Sequence, residues 1–304
     1  MKKISIALII AICLIGCKYD DSYLDPRLET QAYFASAQSY TRTVIVGEGL
    51  HFRIGAAMAG VTENKQNETV DMIIAKDSDL GDKELMPDNY YNSSELNGTI
   101  KATIPAGSFL GYFTVKIDSI NFLNDPKALT AGYALPVKIT ATSLQAVNGE
   151  LDNVVVSVKY MCGVDGYYLY ESVIKTEENG VIMEDKTITE NYPNESDNST
   201  WRLETQAPFK VKATSAVNAS TSGLVFNIIV DGSTVTYESI AGNPEIIPNG
   251  VNQYNPKTRD FNLNYKYKSP AEPDVVYHVS QKLIFRNRMV DGVNQTRDYL
   301  SYFN

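Results

Sequence analysis

Hydrophobic positions along this chain recur with the period of β-strands. Seven short runs in the first half are rich in β-branched and aromatic residues and are separated by turn residues: 41–46, 50–56, 68–75, 98–104, 111–117, 134–140 and 153–160. In the last run Val154, Val156 and Val158 share one face, because successive side chains of a strand point to opposite sides. Seven such strands in succession predict an immunoglobulin-like β-sandwich.

Two segments interrupt this rhythm. Residues 85–91 (LMPDNYY) lie in a long connection and predict a cover over the sandwich rather than a strand. Residues 161–166 (MCGVDG) form a bridge that is too short for the two domains to move much relative to each other. The sequence therefore predicts a sandwich over residues 31–161 and a second domain over residues 162–304, held in a fixed relation.

The second half has longer strands and sharper turns. Asn179-Gly180 and Asp231-Gly232 each stand between two strand-like runs, and such dipeptides favour the positive φ angles of type I′ hairpin turns. Residues 259–268 (RDFNLNYKYK) alternate strictly, with Phe261, Leu263, Tyr265 and Tyr267 on one face. Further runs are 167–177, 181–192, 201–205, 209–213, 224–230, 234–239, 275–285 and 297–303. These strands predict an antiparallel β-barrel, because closure of the sheet leaves no exposed edge strands. The predicted fold class of the whole chain is therefore all-β.

The N-terminus has the pattern of a secretory signal. A basic head precedes about twelve apolar residues, 4–15, and then Gly16. A helix of that length spans about 18 Å, short of the roughly 30 Å hydrocarbon core of a bilayer, so a signal peptide over residues 1–16 is favoured over a transmembrane helix.

The end of this segment resembles the lipobox of bacterial lipoproteins. Leu14-Ile15-Gly16-Cys17 matches it, which implies a diacylglycerol on the Cys17 thiol and cleavage just before that residue. Lys18-Tyr19-Asp20-Asp21 resembles the acidic export signal of Bacteroidetes surface lipoproteins, and residues 17–30 are an acidic tether. The resemblance implies a protein lipid-anchored in the outer membrane and facing the cell exterior, with the membrane as its first partner.

Composition excludes several function classes. The chain has 27 basic and 36 acidic side chains, and loss of Lys2 and Lys3 leaves 25 against 36, a net charge of -11. Nucleic acid is therefore not an expected partner. Removal of the leader leaves Cys17, as a thioether, and Cys162, so no intramolecular disulfide is expected. His51 and His278 have no pairing typical of a metal site, and no metal or cofactor is expected.

Three segments of the first half carry a family resemblance. Residues 87–91 (PDNYY), 104–108 (IPAGS) and 133–137 (YALPV) resemble the N-terminal immunoglobulin-like domain of unknown function found in Bacteroidetes surface lipoproteins. In the second half, GYYLYES and YNPKTRDFNLNYKYKS are similar to the calycin-like C-terminal domain that often follows it. The resemblance implies a surface lipoprotein of the kind found beside Sus-like glycan importers, with such an importer as a candidate partner.

The first functional hypothesis is a non-catalytic glycan-binding or accessory role in such a nutrient-uptake system. Sugars stack their C–H faces on aromatic rings, while their hydroxyls need amide and carboxylate partners. Trp201 follows the polar loop 193–200 and is the strongest candidate for a ring at a barrel mouth, with burial at the barrel floor as the alternative. Tyr192 and Tyr254, next to turn residues, are weaker candidates, and Asn194 and Asn198, with Asn191, are candidate hydrogen-bond partners.

Three alternatives compete with glycan binding. A lipocalin-like barrel could carry a small apolar ligand, although bulky inward residues, Phe261, Tyr265, Tyr267 and Phe285, favour a filled interior. A structural or adhesion subunit is a further alternative. Catalysis is not expected, because no nucleophile elbow, Ser/His/Asp constellation or phosphate-binding glycine loop is visible.

Overall fold

The computed structural model describes residues 29–36, 38–192 and 200–297. Two β domains follow each other in this part of the chain: the last strand of the first ends at Met161 and the first strand of the second begins at Gly166. The predicted signal peptide, Cys17, the predicted tether up to residue 28, Asn194, Asn198 and most of the predicted strand 297–303 lie outside the described residues.

The first domain is a sandwich of two sheets. Its strands are β1 (Gln31–Tyr33), β2 (Ser39–Ile45), β3 (His51–Ala59), β4 (Glu68–Ile74), β5 (Glu84–Leu85), β6 (Ile100–Ile104), β7 (Leu110–Lys116), β8 (Tyr133–Thr142), β9 (Ala146–Val147) and β10 (Asn153–Met161). One sheet has the order β7-β3-β1-β9 and the other β2-β10-β8-β4-β6, with β5 paired to β8. Each of the seven predicted runs overlaps a strand. Ile54, Met72, Leu135 and Val156 are fully buried in the shared core, so the predicted sandwich is confirmed.

The segment at residues 85–91 lies against the sandwich, although it begins as a strand. It contains the end of β5, followed by a 3-10 helix, Asp88–Tyr90. The ring of Tyr90 packs edge-on against Phe122 and Tyr133, with centroids 5.9 and 5.3 Å apart. Both tyrosine hydroxyls donate to Asp125, which also caps a second 3-10 helix, Pro126–Leu129. These bonds to Tyr133 and Tyr90 lower the pKa of the Asp125 carboxyl.

The second domain is an antiparallel barrel. Its strands are β11 (Gly166–Glu178), β12 (Val181–Tyr192), β13 (Trp201–Ala207), β14 (Lys210–Thr214), β15 (Val225–Asp231), β16 (Thr234–Ser239), β17 (Ile247–Pro248), β18 (Gln253–Asn255), β19 (Asp260–Ser269), β20 (Glu272–Val290) and β21 (Val293–Thr296). Pairing runs β11-β13-β14-β15-β16-β18-β19-β20 and returns from β20 to β11. Within the described residues eight strands thus close a ring, which confirms the predicted barrel.

The hairpin turns agree with the prediction at one position and differ at another. Asn179 and Gly180 have φ angles of 49° and 79°, as a type I′ turn requires. In Asp231-Gly232 only Gly232 has a positive φ angle, 58°. Asp231 is still the last residue of β15, so the two-residue loop is Gly232-Ser233. A glycine at the first loop position suits a type II′ turn, so the prediction of a type I′ turn there is wrong.

A buried ionic cluster joins the two domains. Glu48, in the turn after β2, accepts two hydrogen bonds from the Arg288 guanidinium, at 2.8 and 2.6 Å, and one from Arg259 at 2.6 Å. Both arginines also donate to the carbonyl oxygen of Gly163 in the bridge between the domains. The Arg288 side chain is 1% exposed and that of Arg259 is 11% exposed. These contacts hold the bridge and both domains together.

A hairpin of the barrel also protects the edge of the sandwich. Strand β2 lies at one edge of its sheet, and edge strands present unpaired backbone groups. The Asp291 carboxylate accepts from the Thr43 backbone N–H at 3.1 Å and from its hydroxyl at 2.7 Å. Asp291 and Gly292 form a type I′ turn, with φ angles of 48° and 81°, between β20 and β21. The second domain thus satisfies a backbone donor of the first.

The ionic cluster is expected to make the free energy of unfolding depend on pH. Burial alone would raise the pKa of Glu48, but hydrogen bonds and charge from Arg288 and Arg259 outweigh it and lower the pKa below its ordinary value of 4.5. A carboxyl with a lowered folded-state pKa stabilises the protein above the unfolded-state pKa, and this stabilisation is lost as pH falls through the folded-state pKa. In urea unfolding at several pH values, the stability gap between wild type and Glu48→Gln should narrow below about pH 4.5. A gap independent of pH would contradict this reading.

Candidate functional site

Trp201 lies inside the barrel rather than at its mouth. It is the first residue of β13, and its side chain is fully buried. The indole packs edge-on against Phe226, with centroids 6.0 Å apart and planes at 69°. Leu203, two residues along the strand, is fully buried as well, since alternate residues share one face. The Trp201 ring is therefore not on a surface that a ligand can reach.

Of the other residues predicted to bind a ligand, Tyr254, Asn191 and the backbone of Tyr192 lie within the described residues. Tyr254 packs against Phe261, with ring centroids 4.8 Å apart, and burial raises the pKa of the Tyr254 hydroxyl to about 12. Tyr192 is the last residue of β12, where its backbone pairs with Tyr170. The loop after Tyr192, with Asn194 and Asn198, is outside the described residues, so a grouping of these candidates stays a prediction.

Aromatic rings fill the barrel interior. Tyr168 packs edge-on against Phe261 and Phe285, with centroids 5.6 and 5.5 Å apart, and Phe226 contacts Tyr265 at 5.4 Å. The four residues predicted to point inward, Phe261, Tyr265, Tyr267 and Phe285, are all buried, which confirms their orientation. Space that these rings occupy cannot hold a small apolar ligand, so the packing favours a filled barrel over a carrier.

The outer face of the sheet β7-β3-β1-β9 carries two tyrosines beside small residues. Tyr33 on β1 and Leu110 on β7 both pair with Ala57 on β3, and Tyr112 on β7 pairs with Gly55 on β3. The neighbours of these residues along each strand are buried in the core, so these five residues face outward. We call these five residues the tyrosine face.

The Tyr112 ring lies across Gly55. A β-carbon at Gly55 would stand only 2.6 Å from Cε1 and 2.7 Å from Cδ1 of this ring, so the missing side chain is what allows the ring to rest on the sheet. The Tyr112 side chain remains 48% exposed and neighbouring Leu110 39% exposed. Tyr33, half-buried on the far side of β3, extends this surface across three strands.

Hydrogen-bonding groups border the tyrosine face. The guanidinium carbon of Arg53 lies 5.9 Å from the Tyr112 ring centroid, and Thr114, opposite Arg53 on β7, is exposed. No carboxylate of the described residues lies within ion-pair distance of Arg53, so its five N–H groups are available to a ligand. An exposed ring beside free donors can stack on the C–H face of a sugar and donate to its hydroxyls.

Sequence reasoning did not single out the tyrosine face. Tyr112 alternates with buried Phe113 along β7, so its outward direction could have been read from the sequence. Its position over Gly55 depends on the register between β3 and β7, which no local pattern specifies.

Other chemistry is sparse in the described residues. Within them, no group of three or more His, Cys, Asp or Glu side chains is placed to hold a metal ion. Cys162 is a buried free thiol, and burial raises its pKa to about 11, so it is a poor nucleophile. In the same part of the chain, no helix is both long and apolar enough to cross a membrane.

These features define the class of protein: an all-β chain in which an immunoglobulin-like sandwich precedes an antiparallel barrel. A protein-family model described as an N-terminal domain matches residues 28–145, most of the sandwich. None of the curated proteins matches the sequence.

Solved structures from Bacteroides resemble the chain over most of its length. A protein of unknown function from Bacteroides ovatus is 17% identical with a TM-score of 0.60, over 87% of this chain and 96% of that chain. An auxiliary nutrient binding protein from Bacteroides thetaiotaomicron is 12% identical with a TM-score of 0.36, over 83% and 92%. The first of these matches shows a shared two-domain fold. The resemblance to Bacteroidetes proteins with two β domains, stated from the sequence, is therefore confirmed.

Proposed function

We propose that the protein is a non-catalytic saccharide-binding accessory component of a nutrient-uptake system at the cell envelope, and that it binds saccharide on the tyrosine face. The Tyr112 ring, half exposed across Gly55, is the observation that carries this proposal. A ring held in this position by the sheet needs no ordering when a sugar stacks on it, so little conformational entropy is lost on binding. The lipid anchor at Cys17, the outer-membrane location and a Sus-like importer as partner belong to the same proposal.

The layout of the face supports a short oligosaccharide as ligand. Tyr33 and Tyr112 flank β3 on either side, and neighbouring strands are about 4.8 Å apart, so the strands that carry the two tyrosines are roughly 10 Å apart. Ala57 lies between the two strands that carry the tyrosines, and its methyl group is too small to block this path. Arg53 and Thr114 supply polar partners at one end of the path.

Tyr112→Ala is expected to weaken saccharide binding about tenfold. The substitution removes the stacking surface, for which about 1.4 kcal/mol is a reasonable magnitude. The soluble fragment that starts just after Cys17 is screened on a glycan array, and affinities for the hits are then measured by calorimetry. Tyr167→Ala is the matched control, because Tyr167 is also an exposed tyrosine under an arginine guanidinium, at 5.1 Å, but lies on the barrel. Equal affinity of wild type and Tyr112→Ala would remove the tyrosine face as the site.

Gly55→Ala tests the same site while the tyrosine stays in place. The new methyl group would overlap Tyr112 and push the ring off the sheet, so an intermediate loss of affinity is expected. If the array gives no hit and the tagged protein instead captures another protein through this face, a structural role would replace the proposed one.

A further inference from the structure

A cleft between the two domains is separate from the tyrosine face. Its volume is about 820 Å³, and it is open to solvent. The sandwich contributes the edge strand β2, Lys159 on β10 and residues 129–131, while the barrel contributes the β20–β21 turn with Met289 and Asp291. Concave spaces at domain boundaries are preferred places for ligand sites.

The cleft is lined by more positive than negative charge. Arg42, Lys83 and Lys159 are the cations, and Asp291 is the one anion among the lining residues of this cleft in the described structure. This excess stands out in a chain whose net charge is -9. The cleft therefore has a local potential opposite in sign to that of the protein as a whole.

Of the three cations, Lys159 has no ion-pair partner among the described residues, while Arg42 and Lys83 each have one. Asp291 accepts two hydrogen bonds from Thr43 and forms a long ion pair with Arg42, whose guanidinium lies 3.9 Å away, so the charge of Arg42 is only partly balanced. Lys83 pairs only with its chain neighbour Asp82, whose side chain is 83% exposed, so this pair is weak.

The cleft also offers a surface for the uncharged part of a ligand. The Tyr40 ring lines it, with the Arg42 guanidinium carbon 4.7 Å from the ring centroid, which holds the cation in place. Met289, half exposed, and Thr41, which carries a hydroxyl, line the same cleft. Cations, a hydroxyl and apolar atoms in one cleft suit a ligand that combines an acidic group with a sugar ring.

We propose that this cleft binds an acidic saccharide through its carboxylate or sulfate group, with Lys159, Lys83 and Arg42 as the recognising cations. The ligand class rests on the proposed saccharide-binding function, but the site shares no residue with the tyrosine face. Carboxylate and sulfate present the same chemistry to these cations: negatively charged oxygens that accept charge-assisted hydrogen bonds.

The test compares ligands that differ in charge. Calorimetry on the soluble fragment uses trigalacturonate, its neutral methyl ester and a sulfated galactan oligosaccharide. Wild type should bind at least one acidic saccharide about tenfold more tightly than the neutral ester, and this preference should disappear in 1 M salt, where the Debye length is about 3 Å. Lys159→Gln and Lys83→Gln should each lower the affinity about tenfold. Lys268→Gln, on an exposed position of β19, is the control and should change nothing.

The outcomes separate this inference from the proposed function. Binding of acidic saccharides that is unchanged in both Lys159→Gln and Lys83→Gln would overturn the cleft site. Binding of neutral saccharides alone, lost in Tyr112→Ala, would overturn the cleft site and leave the proposed function standing. If no saccharide of either kind binds, both fail. Inhibition by free sulfate or acetate at the same concentration as the saccharide would overturn the assignment of a sugar ligand.

Discussion

Glu48→Ala is expected to lower the free energy of unfolding by about 3 kcal/mol, because it leaves two buried guanidinium groups without their shared carboxylate. Arg288 would keep only neutral acceptors, the Gln295 amide oxygen at 2.8 Å and the Gly163 carbonyl at 3.4 Å. A cation whose side chain is 1% exposed cannot recover solvation without opening the interface. Glu48 is itself 31% exposed, so water that enters its place keeps the cost at the lower end of the range for buried pairs.

Urea unfolding followed by circular dichroism measures this effect. Glu48→Gln keeps an acceptor oxygen and the side-chain shape but not the charge, so its stability should lie between those of wild type and Glu48→Ala. Glu238→Ala breaks an exposed pair with Lys210 at 3.1 Å and serves as the control, with an expected change below about 1 kcal/mol. Similar losses in Glu48→Ala and Glu238→Ala would show that the cluster does not stabilise the fold.

The same variant tests the coupling of the two domains. Glu48 belongs to the sandwich and both arginines belong to the barrel, so the cluster is a principal polar link between two separate cores. When this link is lost, the sandwich and the barrel are expected to unfold in two transitions rather than one. A single transition in Glu48→Ala would mean that the bridge at residues 162–165 is sufficient to couple them.

The strands were predictable because alternation along a strand is a local signal. The alternation of Phe261, Leu263, Tyr265 and Tyr267 identifies both the strand β19 and its buried face. The short strands β1, β5 and β9 lack such a signal, since two or three residues show no period. They form because the neighbouring strands offer unpaired backbone groups, which is information from the tertiary structure.

Contacts between distant parts of the chain were not predictable. Glu48 lies 211 residues from Arg259 and 240 from Arg288, and nothing in the local sequence links them. One clue was present but unused: Asp291-Gly292 between Val290 and Val293 has the pattern of a type I′ hairpin turn. Recognition of that hairpin would have placed β21, although not the contact between Asp291 and Thr43.

From the sequence alone, two positions were open for the Trp201 ring: the barrel mouth and a buried place inside the barrel. The polar loop that precedes it suggested a barrel mouth. Leu203 and Trp201 share one face of β13, and a leucine at that position indicates a face that points inward. The strand period was therefore the better guide to the direction of the indole than the adjacent loop.

Trp201→Ala is accordingly expected to act on stability, with a loss of about 3 to 5 kcal/mol in the free energy of unfolding. The ring is fully buried and packs on Phe226, so truncation leaves a large cavity in the barrel. Trp201→Phe should cost much less. It keeps an aromatic ring in place and removes an indole N–H that has no hydrogen-bond acceptor among the described residues.

The measurement is guanidinium unfolding followed by far-ultraviolet circular dichroism, because Trp201 is the single tryptophan and its variants lose the fluorescence signal. Tyr112→Ala, whose ring is 48% exposed, is the control and should change stability by less than about 1 kcal/mol. The two substitutions are thus expected to have opposite profiles: Trp201→Ala weakens the fold and leaves saccharide affinity of the folded protein intact, and Tyr112→Ala does the reverse. Loss of saccharide affinity in a stable Trp201→Phe variant would indicate that saccharide binds at the barrel and not on the tyrosine face, because that substitution changes little besides the indole.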